Sequence, residues 1–200
     1  MTVDELRPDG RSLRASRTRA AILFAHRRLI HDGELSPTTT RIAEAAGVSP
    51  RTLFLHFADL ETLFAATADA VLAEALLRAG RTDPALPLPA RTQAFLTSRV
   101  EVYEFLTPFA LAARLREHSS PALRERRAAL TEASRANVVA TFAPELEQLA
   151  MQEYDDAVAG LETCTTWSAW FHLRDELALT GPATYRVMCR NVLLLLASPR

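Results

Sequence analysis

The stretch GVSPRTLFLHF, residues 47–57, sets one arginine, one histidine and two hydroxyl side chains among large apolar residues. In a helix, Leu53 and Phe57 are four residues apart and lie on one face, while Arg51 and Leu55 share another. A helix this short cannot bury every face, so we expect Leu53 and Phe57 inward and Arg51 outward. Exposed donors on the first half of such a helix can hydrogen-bond to base edges in the major groove of DNA.

A second short helix is predicted just before this stretch, from Thr38 or Thr39 to Ala46. Threonine is a favourable N-cap for it. Gly47 can take the left-handed conformation that a tight turn between two helices needs, and Val48 supplies a small apolar contact in the turn. Two helices joined in this way form a helix-turn-helix.

The charge distribution agrees with a nucleic-acid partner at this end of the chain. The whole chain has a formal net charge of −1, which argues against a polyelectrolyte role for the protein as a whole. Residues 10–58 hold eight arginines against three acids, a local balance of 8 − 3 = +5. A basic segment on an otherwise acidic chain is common in nucleic-acid-binding proteins. The eight arginines are Arg11, Arg14, Arg17, Arg19, Arg27, Arg28, Arg41 and Arg51.

The segment from about Arg17 to Phe64 resembles the DNA-binding domain of the TetR family of bacterial transcriptional regulators. The resemblance rests on the string IAEAAGVS, residues 42–49, followed by TLFLHF, residues 52–57, and then LETLF, residues 60–64. It covers about a quarter of the chain. Two positions depart from the family pattern: Phe54 stands where a tyrosine is frequent, and Leu60 where a lysine is frequent.

The resemblance implies a role for each matching position. Five residues are expected to face base edges, and Arg51 is expected to contact guanine through two hydrogen bonds. Four others are expected to contact phosphates, which positions the helix without specifying sequence. The base-facing set is Ser49, Pro50, Arg51, Phe54 and Leu55, and the phosphate set is Thr38, Thr40, Thr52 and His56. Arginines 11, 14, 17 and 19 are candidates for further DNA contact from a polar N-terminal arm over residues 1–12.

The sequence lacks alternating runs of β-branched residues joined by Asn-Gly or Asp-Gly turns, which are typical of β-strands. It therefore predicts an all-α fold. The predicted division is a three-helix helix-turn-helix domain (12–58), a connecting helix (59–79), a linker (80–89) with three prolines, and a helical ligand-binding and dimerisation domain (90–200). Proline should end helices in the last of these. We therefore expect breaks at Thr107-Pro108, Ser120-Pro121, Ala143-Pro144 and Gly181-Pro182, and one continuous helix over residues 155–178.

The C-terminal domain offers candidates for a ligand pocket, although each is more readily explained by the core or a dimer interface. They are Tyr103, Phe109, Arg114, His118, Trp167, Trp170 and His172. His118 and His172 have no Cys, Asp or Glu at a recognisable metal-site spacing, so neither a metal nor another cofactor is expected. His26 and His31 are expected at the surface or the end of the first helix.

Taken together, these features predict a ligand-responsive transcriptional regulator, a repressor that binds a pseudo-palindromic DNA operator as a homodimer and is released by a small molecule. Two cysteines are too few for a disulfide framework, which favours a reducing cytoplasm. The apolar run over residues 192–197 is too short to cross a bilayer, so no membrane segment is expected. No catalytic motif was found, so no enzyme is expected. Two alternatives stay open: a helical ligand-binding or scaffold protein that has lost DNA binding, and an all-helical enzyme.

Overall fold

A computed structural model describes residues 10–118 and 120–197 of the chain. Every regular element in those residues is helical, which confirms the all-α prediction. The helices are α1 (Gly10–His31), α2 (Thr39–Ala46), α3 (Pro50–His56), α4 (Leu60–Arg78), α5 (Leu88–Glu117), α6 (Pro121–Leu146), α7 (Met151–Cys164), α8 (Trp167–Phe171), a π-helical turn (His172–Glu176) and α9 (Gly181–Leu196).

The first helix is longer than predicted. Residues 10–12, which the sequence assigned to a polar arm, belong to α1, and residues 1–9 lie outside the described residues. At its other end, Gly33 has a left-handed φ of 97° and its N–H donates to the carbonyl of Ile30 at 3.0 Å. This is the usual way for a glycine to end a helix.

One of the four predicted proline breaks is wrong, and a second takes the form of a kink within a helix. Pro121 and Gly181 begin helices as expected, but Pro108 lies inside α5 and Pro144 inside α6. Proline in a helix costs about 3 kcal/mol, so packing on both sides must offset that cost. Buried Leu106 and Ala112 flank Pro108. In α6 the break predicted at Ala143-Pro144 is present as a kink at Phe142, where φ is −106° and ψ is 17°.

The predicted continuous helix over residues 155–178 is also interrupted. The Thr165 hydroxyl donates back to the carbonyl of Leu161 at 2.6 Å, and the helix ends there. Thr166 then caps α8 by accepting a hydrogen bond from the N–H of Ala169 at 3.1 Å. Such side-chain bonds to the backbone compete with helix continuation. Sequence periodicity does not reveal this break, because the apolar spacing continues across it.

The chain divides into two compact units whose boundaries fall inside helices. One comprises residues 1–72 with residues 107–126, and the other residues 73–106 with residues 127–200. The predicted linker is non-helical up to Pro87, and α5 begins at Leu88. The predicted C-terminal domain included residues 107–126, whereas in the structure this segment packs in the first unit.

Within the first unit, the core beneath the helix-turn-helix joins the four helices α1, α2, α3 and α4. It is built from buried residues of those four helices, with Leu23, Ala46, Val48, Leu60 and Ala66 packed around them. A second cluster contains Ile30, Phe64 and Ala112, with Leu35 and Phe109 against it. The main cluster consists of Ile22, Leu29, Ile42, Ala43, Leu53, Phe57 and Leu63.

Candidate DNA-binding surface

The turn between α2 and α3 has the geometry that the sequence predicted. The Thr38 hydroxyl oxygen caps α2 by accepting a hydrogen bond from the N–H of Arg41 at 3.3 Å. Gly47 closes the helix in the left-handed region, with φ 67° and ψ 31°. The Val48 N–H donates to the carbonyl of Ala43 at 3.0 Å, and its side chain packs on the core. These contacts fix the direction in which α3 leaves the turn.

Ser49 and Thr52 hold the start of α3. The Ser49 hydroxyl oxygen accepts a hydrogen bond from the Thr52 N–H at 3.0 Å, and the two hydroxyl groups lie 2.8 Å apart. Pro50 at the first helical position costs nothing, because its missing N–H would have no partner in the helix. The hydroxyl groups of Ser49 and Thr52 thus already have each other as partners within the protein. Their predicted DNA contacts must use the remaining hydrogen-bonding capacity of each oxygen.

The two faces of α3 separate as predicted. Leu53 is fully buried and Phe57 is 1% exposed. On the opposite side, Phe54 is 47% and Leu55 75% exposed, and the Arg51 side chain is exposed as well. In the part of the chain that the structure describes, the Arg51 guanidinium has neither a hydrogen-bond nor an ion-pair partner. Its donors are consequently available to an external acceptor.

The residues predicted to contact phosphates flank this outward face. Thr38 and Thr40 are exposed at the start of α2, whereas Thr52 and His56 are half-buried along α3. A half-buried side chain still presents part of its surface to a ligand that spans the helix. The structure thus places all four at the surface of the helix-turn-helix, and their phosphate contacts stay a prediction.

Two of the basic residues near this surface are paired with acids, which reduces the local positive charge. Arg41 Nε lies 3.3 Å from a carboxylate oxygen of Glu34, and Arg28 Nε lies 3.9 Å from one of Asp32. All four side chains are largely exposed, so these pairs stabilise the fold little. Arg51 keeps its full charge on the outward face, and is the best-placed cation for base contact.

Arg19 is a residue whose role the sequence did not predict correctly. Its guanidinium donates from Nη1 to the carbonyl oxygen of His56 at 3.1 Å and lies 4.1 Å from the centre of the Phe57 ring. A cation at the C-terminus of a helix also interacts favourably with the helix dipole. Arg19 therefore ties α1 to the end of α3, a contact that the sequence did not indicate.

His26 is buried, which contradicts the surface position expected for it. Its Nδ1 lies 2.7 Å from the Thr67 hydroxyl, and its ring meets the Phe64 ring edge-on at 4.3 Å. Since the Thr67 hydroxyl donates to the carbonyl of Leu63 at 2.9 Å, it accepts from His26, and the imidazole proton is on Nδ1. Burial, and secondarily the charge of Arg116, lowers the His26 pKa to about 4.

The seven candidates for a ligand pocket are distributed over both units. Phe109 packs in the cluster around Ile30 of the first unit, where Arg114 and His118 are exposed. In the second unit, Tyr103 and Trp170 are buried with ring centres 6.0 Å apart. The two remaining candidates have other neighbours: Trp167 stacks on Phe171 at 4.8 Å, and exposed His172 lies 2.9 Å from the Glu176 carboxylate.

A buried arginine accompanies Tyr103 in the second unit. Arg99 is 8% exposed and donates from Nη1 to the Tyr103 hydroxyl at 3.0 Å, to the Ser134 hydroxyl at 2.8 Å and to the Thr165 carbonyl at 3.0 Å. Its guanidinium also lies 4.4 Å from the centre of the Phe95 ring. Burial raises the pKa of Tyr103, so this hydroxyl stays protonated. Sequence reasoning missed Arg99, because its partners come from three separate segments.

Neither a metal site nor a membrane segment is found in the described residues. No group of three or more His, Cys, Asp or Glu side chains in residues 10–118 and 120–197 is arranged to hold a metal ion. Over the same residues, no helix combines the length and the apolar character needed to cross a membrane.

Comparison with known proteins agrees with this geometry. Residues 22–67 match the profile of the bacterial regulatory proteins of the tetR family. A search of curated protein sequences gave no significant match. Solved structures with the same fold include a transcriptional regulator from Rhodococcus sp. Rha1, with a TM-score of 0.68, 16% identity, and 92% of this chain and 96% of that one covered.

Two further structures share the fold. One is a protein from Pseudomonas aeruginosa PAO1 assigned as a transcriptional regulator, with a TM-score of 0.67, 20% identity, and coverage of 98% of this chain and 96% of that one. The other, from Mesorhizobium loti, is assigned to the TetR family, with a TM-score of 0.64, 18% identity, and coverage of 92% and 97%. Residues 22–67 of this chain thus match the TetR-family domain, within a chain that has the fold of TetR-family transcriptional regulators.

Proposed function

We propose that this protein is a transcriptional repressor that binds a pseudo-palindromic operator as a homodimer and is released by a small-molecule effector. The observation that carries the proposal is the outward face of α3, where Arg51 is exposed without a partner in the described residues and Leu55 is 75% exposed. A helix held at both ends on a helix-turn-helix, with a cation directed outward, is suited to the major groove. The proposed place of action is the cytoplasm.

In the proposed complex, Arg51 specifies sequence and its neighbours position the helix. A guanidinium can donate two hydrogen bonds to O6 and N7 of guanine, a contact that contributes about 1–3 kcal/mol of discrimination. Thr38, Thr40, Thr52 and His56 would contact phosphates, which orient the helix independently of sequence.

The last helix supports the proposed homodimer. A groove of about 420 Å³ lies along α9, and Leu194 and Leu195 of the same helix are 58% and 37% exposed. A groove lined by leucines together with tyrosine and arginine is typical of a protein interface. The mass in solution, measured by sedimentation, tests the dimer. The groove is lined by Tyr185, Arg186, Cys189, Arg190, Leu193, Leu194 and Ala197.

Release by an effector requires a difference in affinity between two conformations. The effector must bind the conformation that cannot bind DNA more tightly, and DNA must then weaken effector binding by the same factor. Among the candidate pocket residues, buried Tyr103 and Trp170 pack on each other, and their rings would contact an effector with an aromatic or apolar body if they separated to admit it. Trp167, Phe109, Arg114, His118 and His172 remain secondary candidates.

A mobility-shift assay tests the proposed function. Duplexes that cover the region around the protein's own gene are titrated with the wild-type chain, R51A and R81A. R81A is a matched control, because Arg81 is also exposed but lies in the linker after α4. We expect a sequence-specific, salt-sensitive shift that R81A preserves. R51A should lose roughly 5- to 150-fold in affinity for the specific site, with little change on random DNA. The absence of any sequence-specific shift would favour a ligand-binding protein that does not bind DNA.

A further inference from the structure

The outward face of α3 has an unusual composition for a surface that reads DNA. Arg51 is three residues before Phe54 and four before Leu55, so the three side chains form one patch on the helix. This patch therefore holds one cation beside two large apolar groups.

Packing within the protein does not account for the two apolar residues. Leu53 and Phe57 of the same helix, and Val48 before it, belong to or pack on the core of the first unit. Phe54 and Leu55 instead remain 47% and 75% exposed. Single exposed apolar residues are ordinary at protein surfaces, but here two are adjacent and flank the base-reading arginine.

The chemistry of the major groove suggests what these side chains contact. A leucine or phenylalanine can neither donate nor accept a hydrogen bond, so it pairs poorly with the polar edges of bases. The C5 methyl of thymine is the apolar group that a base pair presents in this groove. Residues three to four apart on a helix are separated by roughly 4.5–6 Å along its axis, which spans one to two base-pair steps of about 3.4 Å.

We propose that Leu55 and Phe54 determine operator specificity by contacting thymine methyl groups within about two base pairs of the guanine that Arg51 reads. This inference rests on the proposed function and adds to it the chemical class of the base contacts. Leu55 is the primary contact, because it is the more exposed of the two and shares the face of Arg51.

The test begins with selection of the operator from random DNA. The full-length protein selects binding sites from a pool of random-sequence duplexes, and the enriched half-site is read out by sequencing. Each thymine in that half-site is then replaced by uracil, one at a time, in an otherwise identical duplex. This replacement removes the methyl group and leaves every hydrogen-bonding atom of the base in place.

Affinities for these duplexes are measured with the wild-type protein, L55A, F54A and L77A. Wild-type protein should lose roughly three- to fivefold in affinity at each contacted thymine. L55A should be insensitive to methyl removal at one of these positions and F54A at another, because each variant already lacks the partner of that methyl. L77A is the matched control: Leu77 is 85% exposed on α4, and its truncation should preserve the full uracil sensitivity.

The outcomes separate this inference from the function on which it rests. If wild-type protein enriches a site but binds its thymine and uracil forms equally well, the proposed thymine contacts are wrong and the proposed function still stands. A loss on uracil that is identical in wild-type protein and both α3 variants would also overturn them, since the methyl would then act through DNA shape. If no sequence were enriched, the proposed function would fail and the inference with it.

Discussion

Among individual residues, His26 shows how a titratable group can be kept neutral inside the first unit. Its Nδ1 proton is bonded to Thr67, while Nε2 is buried without a partner in the described residues. Protonation at Nε2 would create a buried charge close to Arg116, which is why the pKa falls to about 4. Because the fold keeps His26 neutral, the stability of the first unit should depend on acid.

We expect the stability of the protein to fall as the pH drops from about 6.5 towards 4. In this range the unfolded chain binds a proton at His26 and the folded chain does not, so acid favours unfolding. With pKa values of 6.5 unfolded and about 4 folded, the loss between pH 7.5 and pH 5 is roughly 2 kcal/mol. Urea unfolding at the two pH values measures it.

The variant H26L should lack this part of the pH dependence, whatever its absolute stability. H118L serves as the control, because His118 is exposed in the same unit and its replacement should leave the wild-type dependence intact. Equal pH dependence in H26L and wild-type protein would show that His26 is not the group responsible.

Residues whose role follows from their own helix were predictable, and residues defined by distant partners were not. The four-residue spacing placed Leu53 and Phe57 inward and Arg51 outward, as observed. For His26 and Arg19 the sequence was misleading, because their contacts are 41 and 37 residues away. A lone histidine or arginine carries no periodic signal of such a contact.

At the level of single elements, α3 is too short to be stable without its neighbours. A helix of seven residues contributes little stability by itself, so its position depends on contacts from other helices. Ser49 holds its start, Leu53 and Phe57 hold its inner face, and Arg19 of α1 holds its end. Arg19 is hence a positioning residue for α3, the helix that we propose reads DNA.

We predict that R19Q loosens α3 without unfolding the domain. Loss of the bond to the His56 carbonyl and of the contact with the Phe57 ring should cost about 1 kcal/mol. Hydrogen exchange of the α3 amides should accelerate roughly fivefold, while α1 exchange stays unchanged. R14Q, on an exposed residue of the same helix, is the control and should change neither rate.

DNA binding distinguishes positioning by Arg19 from a direct phosphate contact. If Arg19 only positions α3, R19Q should lower affinity for the specific site and leave the salt dependence of binding unchanged. A lost phosphate contact would instead reduce the slope of log affinity against log salt by about 0.9, on specific and random DNA alike. That result would contradict the positioning role.

Helix ends were predictable where local chemistry sets them, as at Thr38 and Gly47. One was mispredicted where tertiary packing decides, at Pro108, which α5 includes. Ala112, four residues after this proline, is buried against Ile30 and Phe64, and a local pattern does not connect α5 with those residues.

On the scale of the whole molecule, the unit that contains the helix-turn-helix needs a segment from much later in the chain. Ala112 and Phe109 of α5 pack with Ile30 and Phe64, and Arg116 lies 3.9 Å from the centre of the Phe64 ring. Residues 107–126 also bond to the first part of the chain through three further pairs: Arg116 with Ser36, Ser120 with Glu61, and Arg126 with Asp69. The predicted boundaries at 58 and 79 would therefore cut through a core.

We accordingly expect a fragment of residues 1–79 to be less stable than the same helices in the full chain. Without α5, the buried faces of Ile30 and Phe64 become exposed, at a cost on the order of 3 kcal/mol. Thermal unfolding followed by circular dichroism measures the difference. A fragment that melts as cooperatively, and at the same temperature, as the full chain would contradict this expectation.

A pair of full-length variants tests the same point without truncation. A112D places a charge at a residue that is 2% exposed in this cluster, whereas L115D alters a residue of the same helix that is 64% exposed. A112D should destabilise the first unit and L115D should not.

The apolar patch on α3 also has a consequence for how temperature affects operator binding. Phosphate contacts act largely through the release of counterions, whereas burial of apolar surface lowers the heat capacity of the complex. If Phe54 and Leu55 contact thymine methyl groups as proposed, their exposed side chains are removed from water when the operator is bound. The binding enthalpy would then become more favourable as the temperature rises, a dependence that a surface of arginines alone would largely lack.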